Sequence, residues 1–114
     1  MNFTVETSEV AEAEIDAIFL YLNARNPEFA GRWLIGLNRS LAELSVFPGR
    51  HPRVENDTLR GREVRKALYR NGRTVYQILF SLMNEDANGE PDTVRMLHVQ
   101  NGSRRPLGQP EDEE

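Results

Sequence analysis

The sequence predicts an α+β domain in which a helical hairpin packs on one face of a small, mainly antiparallel sheet, in the order β-α-α-β-β-β. Three observations carry that prediction. Phe3 and Val5 alternate with polar neighbours near the start; two stretches of helical periodicity meet at Asn26-Pro27; and the second half is rich in β-branched and aromatic residues separated by turn signals. At 114 residues the chain can close one core of two packed layers but not two independent ones, and no internal repeat is visible.

Each element follows from local chemistry. NFTVET, residues 2–7, reads as a short half-buried strand, and Ser8 can cap a helix with Glu9 and Glu12 near its positive N-terminal end. Ala11, Ile15, Ile18, Phe19 and Leu22 then recur on one helical face, so the helix should run to about residue 24. Asn26 caps a second helix with Pro27 in its first position, where proline's missing N–H costs nothing. Its stripe, Phe29, Trp33, Leu37, Leu41 and Leu44, should reach Val46 before Pro48 and Gly49 stop it. PGRHPRVENDTLRG has two prolines, two glycines and little periodicity, and reads as a loop crossing from helices to sheet.

From there the pattern is β. EVRKALYR and RTVYQILFSL are joined at Asn71-Gly72, both tolerant of positive φ, which predicts a tight hairpin. Apolar residues on both faces of the second of these, Tyr76, Ile78 and Phe80 against Val75 and Leu79, mark it as a central strand. NEDANGEPD is a polar turn into a last strand, DTVRMLHV; residues 1–106 form the domain, and 107–114 read as a disordered acidic tail. The helices should cover one sheet face and leave the other only partly covered.

Composition narrows the chemistry. There are no cysteines, so disulfides, thiolate metal sites and a thiol nucleophile are excluded. No long apolar run and no basic-then-apolar leader is present, which makes the cytoplasm the expected location and membrane contact unexpected. His51 and His98 stand far apart with no carboxylate at ligand spacing, and no glycine-rich phosphate loop opens a helix, so no metal and no cofactor are expected. Charge is uneven: residues 1–49 hold three Lys/Arg against seven Asp/Glu, and residues 50–73 hold eight against three. Such a basic segment can meet phosphate or an acidic protein surface, or it can simply be solvated.

Within it Arg62, Arg65, Lys66, Arg70 and Arg73 punctuate two strands together with Tyr69 and Tyr76. Guanidinium forks and aromatic rings on one sheet can hold a phosphate, stack a base or clamp an acidic helix. Alternation puts Arg65, Ala67 and Tyr69 on one face and Val64, Lys66, Leu68 and Arg70 on the other, so the cations do not all converge. Tyr76 has a core reading beside the binding one. His98 follows Val94 and Met96 on the face expected to meet the helices, as a hydrogen-bonded histidine at the core rim. Arg104 and Arg105 can fold back over the open face or stay in solvent.

The ordered set of TVETSEVAEAEIDAIFLYL, NPEFAGRWLIGLNRSLAELSVFPGRHP, VRKALYRNGRTVYQILF and DTVRMLHV, with arginines after it, resembles the RelE/ParE toxin superfamily over residues 3 to 106. The specific points are the Asn26-Pro27 entry with Ala30, the Leu44 and Pro48 exit, Arg65, the Arg73 to Tyr76 segment, and His98. The resemblance implies the toxin half of a type II toxin-antitoxin pair, neutralised by an antitoxin segment lying across helices and sheet, with DNA contacted only through the antitoxin. ParE-like members block DNA gyrase; RelE-like members cleave messenger RNA on the ribosome. Two long helices and a body with a single lysine favour the ParE-like branch, the alternatives being a ribosome-dependent nuclease or an inactive binding module that keeps the fold. On this reading Arg65, Arg73, Arg104, Arg105, His98 and Tyr76 are candidates for contact with the target, and Arg62, Lys66 and Tyr69 for contact with the antitoxin. The polar turn from Met83 to Asp92 and the acidic end are longer than the compact family pattern.

Overall fold

The computed structural model describes residues 2–59, 62–83 and 91–102; the acidic tail, Arg104, Arg105 and the centre of the polar turn lie outside them. The elements are β1 (Thr4–Thr7), α1 (Glu9–Arg25), α2 (Pro27–Leu44), β2 (Arg53–Leu59), β3 (Arg62–Asn71), β4 (Thr74–Met83) and β5 (Thr93–Asn101). The strands form one sheet in the order β1-β5-β4-β3-β2, with β1 parallel to β5 and the other pairs antiparallel. Two helices packed on a mostly antiparallel sheet is the α+β class the sequence predicts, and β4 holds the central place its two apolar faces require. Among the described residues no helix is long and apolar enough to cross a membrane.

The caps are those the sequence proposes. The Ser8 hydroxyl accepts from the Ala11 N–H at 3.0 Å and donates to the Leu97 carbonyl at 3.2 Å, so a single side chain starts α1 and ties it to β5. Asn26 serves both helices, its N–H donating to the Leu22 carbonyl at 2.8 Å and its Oδ1 accepting from the Phe29 N–H at 3.1 Å. The second helix ends at Leu44, two residues short of the expected Val46, because the Ser45 hydroxyl and N–H both turn back onto the Ala42 carbonyl.

The core lies between the hairpin and one sheet face. Trp33, Leu37 and Leu44 of α2 and Ala11 of α1 meet Ala67 and Tyr69 of β3, Tyr76, Ile78 and Phe80 of β4, and Val94, Met96 and Val99 of β5. Ile15, Ile18, Phe19 and Leu22 close its flank half-buried, which matches the predicted stripe of α1.

Three local expectations are corrected. Arg53–Leu59, expected as part of a loop, is an edge strand pairing with β3 through an interrupted register. Pro52 immediately precedes it, and β3 offers a free row of N–H and C=O groups that a neighbouring segment can satisfy without any apolar pattern of its own. The hairpin tip falls one residue later than expected: Asn71 pairs with Thr74, and Gly72, at φ 65°, and Arg73 make the loop. Finally, β5 carries a bulge. Leu79 pairs with His98 but Phe80 pairs with Met96, leaving Leu97 as an extra residue. Alternation is shifted there, so Val99 follows Met96 into the core and His98 leaves the face it was expected to share with Met96.

Candidate functional site

Phenol and indole chemistry is taken up by the core. The Tyr69 hydroxyl donates to the Trp33 carbonyl at 2.8 Å in a buried site, and burial pushes its pKa up, with Arg39 opposing. Its ring lies 6.1 Å from that of Tyr76, which meets Trp33 edge-on at 5.6 Å. A side chain at Gly36 would overlap the Tyr69 hydroxyl, so glycine at this point of α2 is what lets the phenol reach the helix backbone. Both tyrosines are less than one tenth exposed and offer no ring to a partner in this conformation, although Tyr69 was a candidate for antitoxin contact and Tyr76 for target contact.

Arg65 sits on the helix-facing side of β3, just beyond the end of the hairpin. Its Nη1 donates to the His51 carbonyl at 2.6 Å and to the Gly49 carbonyl at 3.2 Å, while its Nη2 lies 3.4 Å from Glu63. Glu63 also pairs with Arg53 at 2.8 Å. The fork therefore clasps the connection between α2 and β2. Glu63, Arg65, Leu82 and Pro91 line a cleft of about 270 Å³ at this end of the sheet.

His51 belongs to the same end, its ring 5.9 Å from Phe80 and edge-on to it. Burial, then Arg50, hold its pKa below the ordinary value of 6.5; Glu43 opposes and Arg65 adds to the lowering. Sequence reasoning weighed His51 only as a metal ligand; the cationic run Arg50, His51, Arg53 was the signal that could have placed it beside Arg65.

The other candidates are scattered. Arg73 is exposed in the hairpin loop just past Asn71, which lies six residues and hence about 20 Å along β3 from Arg65. Lys66 and Arg70 share the face away from the helices with Leu68, which is 58% exposed. On that same face Val64 and Ser81 are buried, whereas Leu68 and Arg70, nearer the hairpin tip, are exposed. His98 pairs with Leu79 next to Lys66, and its Nδ1 lies 3.0 Å from Glu14 Oε2 of α1. The other oxygen of Glu14 accepts the Val99 N–H at 2.9 Å, satisfying a backbone donor on the stretch of β5 that β1 is too short to reach. The side chain of Arg62, and all of Arg104 and Arg105, lie outside the described residues.

The structure thus gathers Arg65, His51, Glu63 and Arg53 at one end, sets Lys66, Leu68 and Arg70 on the opposite sheet face running toward the hairpin tip, and does not join Arg65, Arg73 and His98 in one site. A cleft whose principal guanidinium is already bonded to two carbonyls is suited to shape and grip more than to charge neutralisation. Neither a scan against protein-family models nor a search of curated proteins returns a match to the chain.

Proposed function

We propose that this chain is the toxin half of a toxin-antitoxin pair and acts in the ParE-like manner, by binding and blocking DNA gyrase. The reading rests on the ordered resemblance across residues 3 to 106, with a fold of the order that resemblance requires. The observation that favours blocking over cutting is the engagement of four of the candidates: Arg65 with two backbone carbonyls, His98 with Glu14, and Tyr69 and Tyr76 with the core. Metal-free cleavage of RNA needs cationic side chains with donors to spare for the scissile phosphate.

A single observation favours the second reading, a ribosome-dependent mRNA endonuclease. His51, its pKa lowered by burial and then by Arg50, sits at the same end of the sheet as Arg65, so an imidazole and a guanidinium stand near one cleft, a pairing that general acid–base cleavage could use. Induced expression with and without the neighbouring reading frame, followed by gyrase supercoiling and ribosome-dependent cleavage assays on the purified chain, separates the two. Growth arrest relieved by the neighbour and loss of supercoiling support the first reading. Cleaved message with intact supercoiling establishes the second, and no arrest at any expression level rejects both.

A further inference from the structure

Away from the helices, the hairpin half of the sheet presents one sign of charge around an exposed apolar side chain. Lys66, Leu68 and Arg70 of β3 lie in register with Leu79, Gln77 and Val75 of β4 on this outer face. Leu68 is 58% exposed, Arg70 is exposed, and Lys66 is half-buried. Among the described residues neither cation has an ion-pair partner, and no outward position of β3 or β4 carries a carboxylate. Two unpaired cations on either side of a wet leucine suit an acidic segment with an apolar side chain of its own.

The chain leaves the sheet beside this patch. After β5 the Gly102 N–H donates to the Val75 carbonyl at 2.8 Å, and Val75 is the register partner of Arg70. A side chain at Gly102 would overlap that of Gln77, so the exit runs under an outer-face residue. Arg70 is two strands from Gly102, about 10 Å, and Lys66 lies four residues further along β3, about 17 Å from the exit. The nine residues from Gly102 to Glu111 can span about 30 Å, so Glu111, Asp112, Glu113 and Glu114 have ample reach to both cations. Leu107, the one apolar side chain after Gly102 apart from the prolines, has reach to Leu68. Arg104 and Arg105 fall within three residues of the exit, which keeps the two signs apart along the tail. Tethering at this edge gives the tail an effective concentration in the millimolar range, more than a free partner of like charge commands. A second copy set face to face would oppose Lys66 and Arg70 to their own kind.

We infer that the outer face of β3 and β4, at Lys66, Leu68 and Arg70, is the docking surface for the chain's own acidic tail, residues 107–114. A segment too polar and too charged to fold alone is held there by a surface that the rest of the chain supplies. The contact is an autoinhibitory one in the general sense: an acidic ligand of this face must first displace the tail. The inference does not depend on the toxin reading, since it concerns a contact within one chain.

The test uses the full chain. Because it has no cysteine, Gln109→Cys accepts a single nitroxide label, whose broadening of the Lys66, Leu68 and Arg70 amide signals is read by NMR. A second labelled chain also carries Glu111→Gln, Asp112→Asn, Glu113→Gln and Glu114→Gln, which leaves the tether the same length and removes its charge. Broadening at the three amides should be about fivefold weaker in the neutral tail, the scale of several exposed ion pairs lost together. Salt at about 0.5 M should have the same effect on the acidic tail by screening. Arg70→Glu should also release the tail, and Arg70→Lys should keep it; position 70 is exposed, so circular dichroism should show unchanged folding. Equal broadening from the acidic and neutral tails, or no loss with Arg70→Glu, overturns the inference. So does broadening that a labelled chain produces in an unlabelled, isotope-enriched one, which would make a second copy's tail the occupant.

Discussion

Replacing Gly36 by alanine should destabilise the protein, although the same change in an ordinary helix interior stabilises. In α2 a methyl group in place of glycine restricts the unfolded chain and is worth about 0.5–1 kcal/mol in favour of folding. Here the added Cβ overlaps the Tyr69 hydroxyl. To make room the phenol must give up its hydrogen bond to the Trp33 carbonyl, about 1 kcal/mol. It must also loosen its contacts with Trp33 and Tyr76, each about 0.5–1.5 kcal/mol. Overpacking on this scale outweighs the helical gain, and the net effect should be a loss of about 1–3 kcal/mol. A double-mutant cycle in urea isolates the cause. In a Tyr69→Ala background the obstacle is gone, and Gly36→Ala should there stabilise by about 0.5–1 kcal/mol. The reasoning fails if Gly36→Ala stabilises the wild-type chain, or if it has the same sign in both backgrounds.

Other residues give sharper functional separations. Arg65→Ala should cost about 1–3 kcal/mol in chemical denaturation, because the carbonyls of Gly49 and His51 lose their charged donor; toxicity that falls while stability holds would show instead that Arg65 meets the target directly. Glu14→Ala should lower stability by about 1–3 kcal/mol and speed exchange of the Val99 amide, whereas Glu14→Gln, which keeps an acceptor oxygen, should retain most of that protection; equal exchange in both variants would contradict the edge-capping role. His51 has a lowered pKa, so the unfolded chain binds its proton more readily. The stabilising contribution is complete above the ordinary value of 6.5 and is lost as pH falls through the lower folded value. Urea midpoints measured above and below that window should drop less on acidification in His51→Gln than in wild type, and an NMR titration of His51 at or above 6.5 would refute the assignment.

Much of the architecture was legible because it depends on nearest neighbours. Ser8 and Asn26 act through backbone N–H groups three residues on, Pro27 through its own missing donor, and the stripes of α1 and α2 through a fixed turn angle, so each is determined within its own segment. The central place of β4 also followed from its own composition. The candidate site was far less legible. Arginines in a basic run read alike whatever they touch, and only the fold bends the connection after α2 so that the carbonyls of Gly49 and His51 reach Arg65.

The sequence by itself determined the α+β class, the helical hairpin with its two caps and the strand succession after it, because caps, turns and periodicity are local properties. Tertiary structure alone decided that Arg53–Leu59 joins the sheet, that the bulge at Leu97 turns His98 away from Met96, that Tyr69 enters the core over Gly36, and that Glu14 closes the edge of β5. Each of these joins residues distant along the chain, and each arises where a backbone donor or acceptor on one element finds its partner on another. No pattern within either segment records that pairing, since the demand for a hydrogen bond is the same at every residue and only packing decides which group meets it.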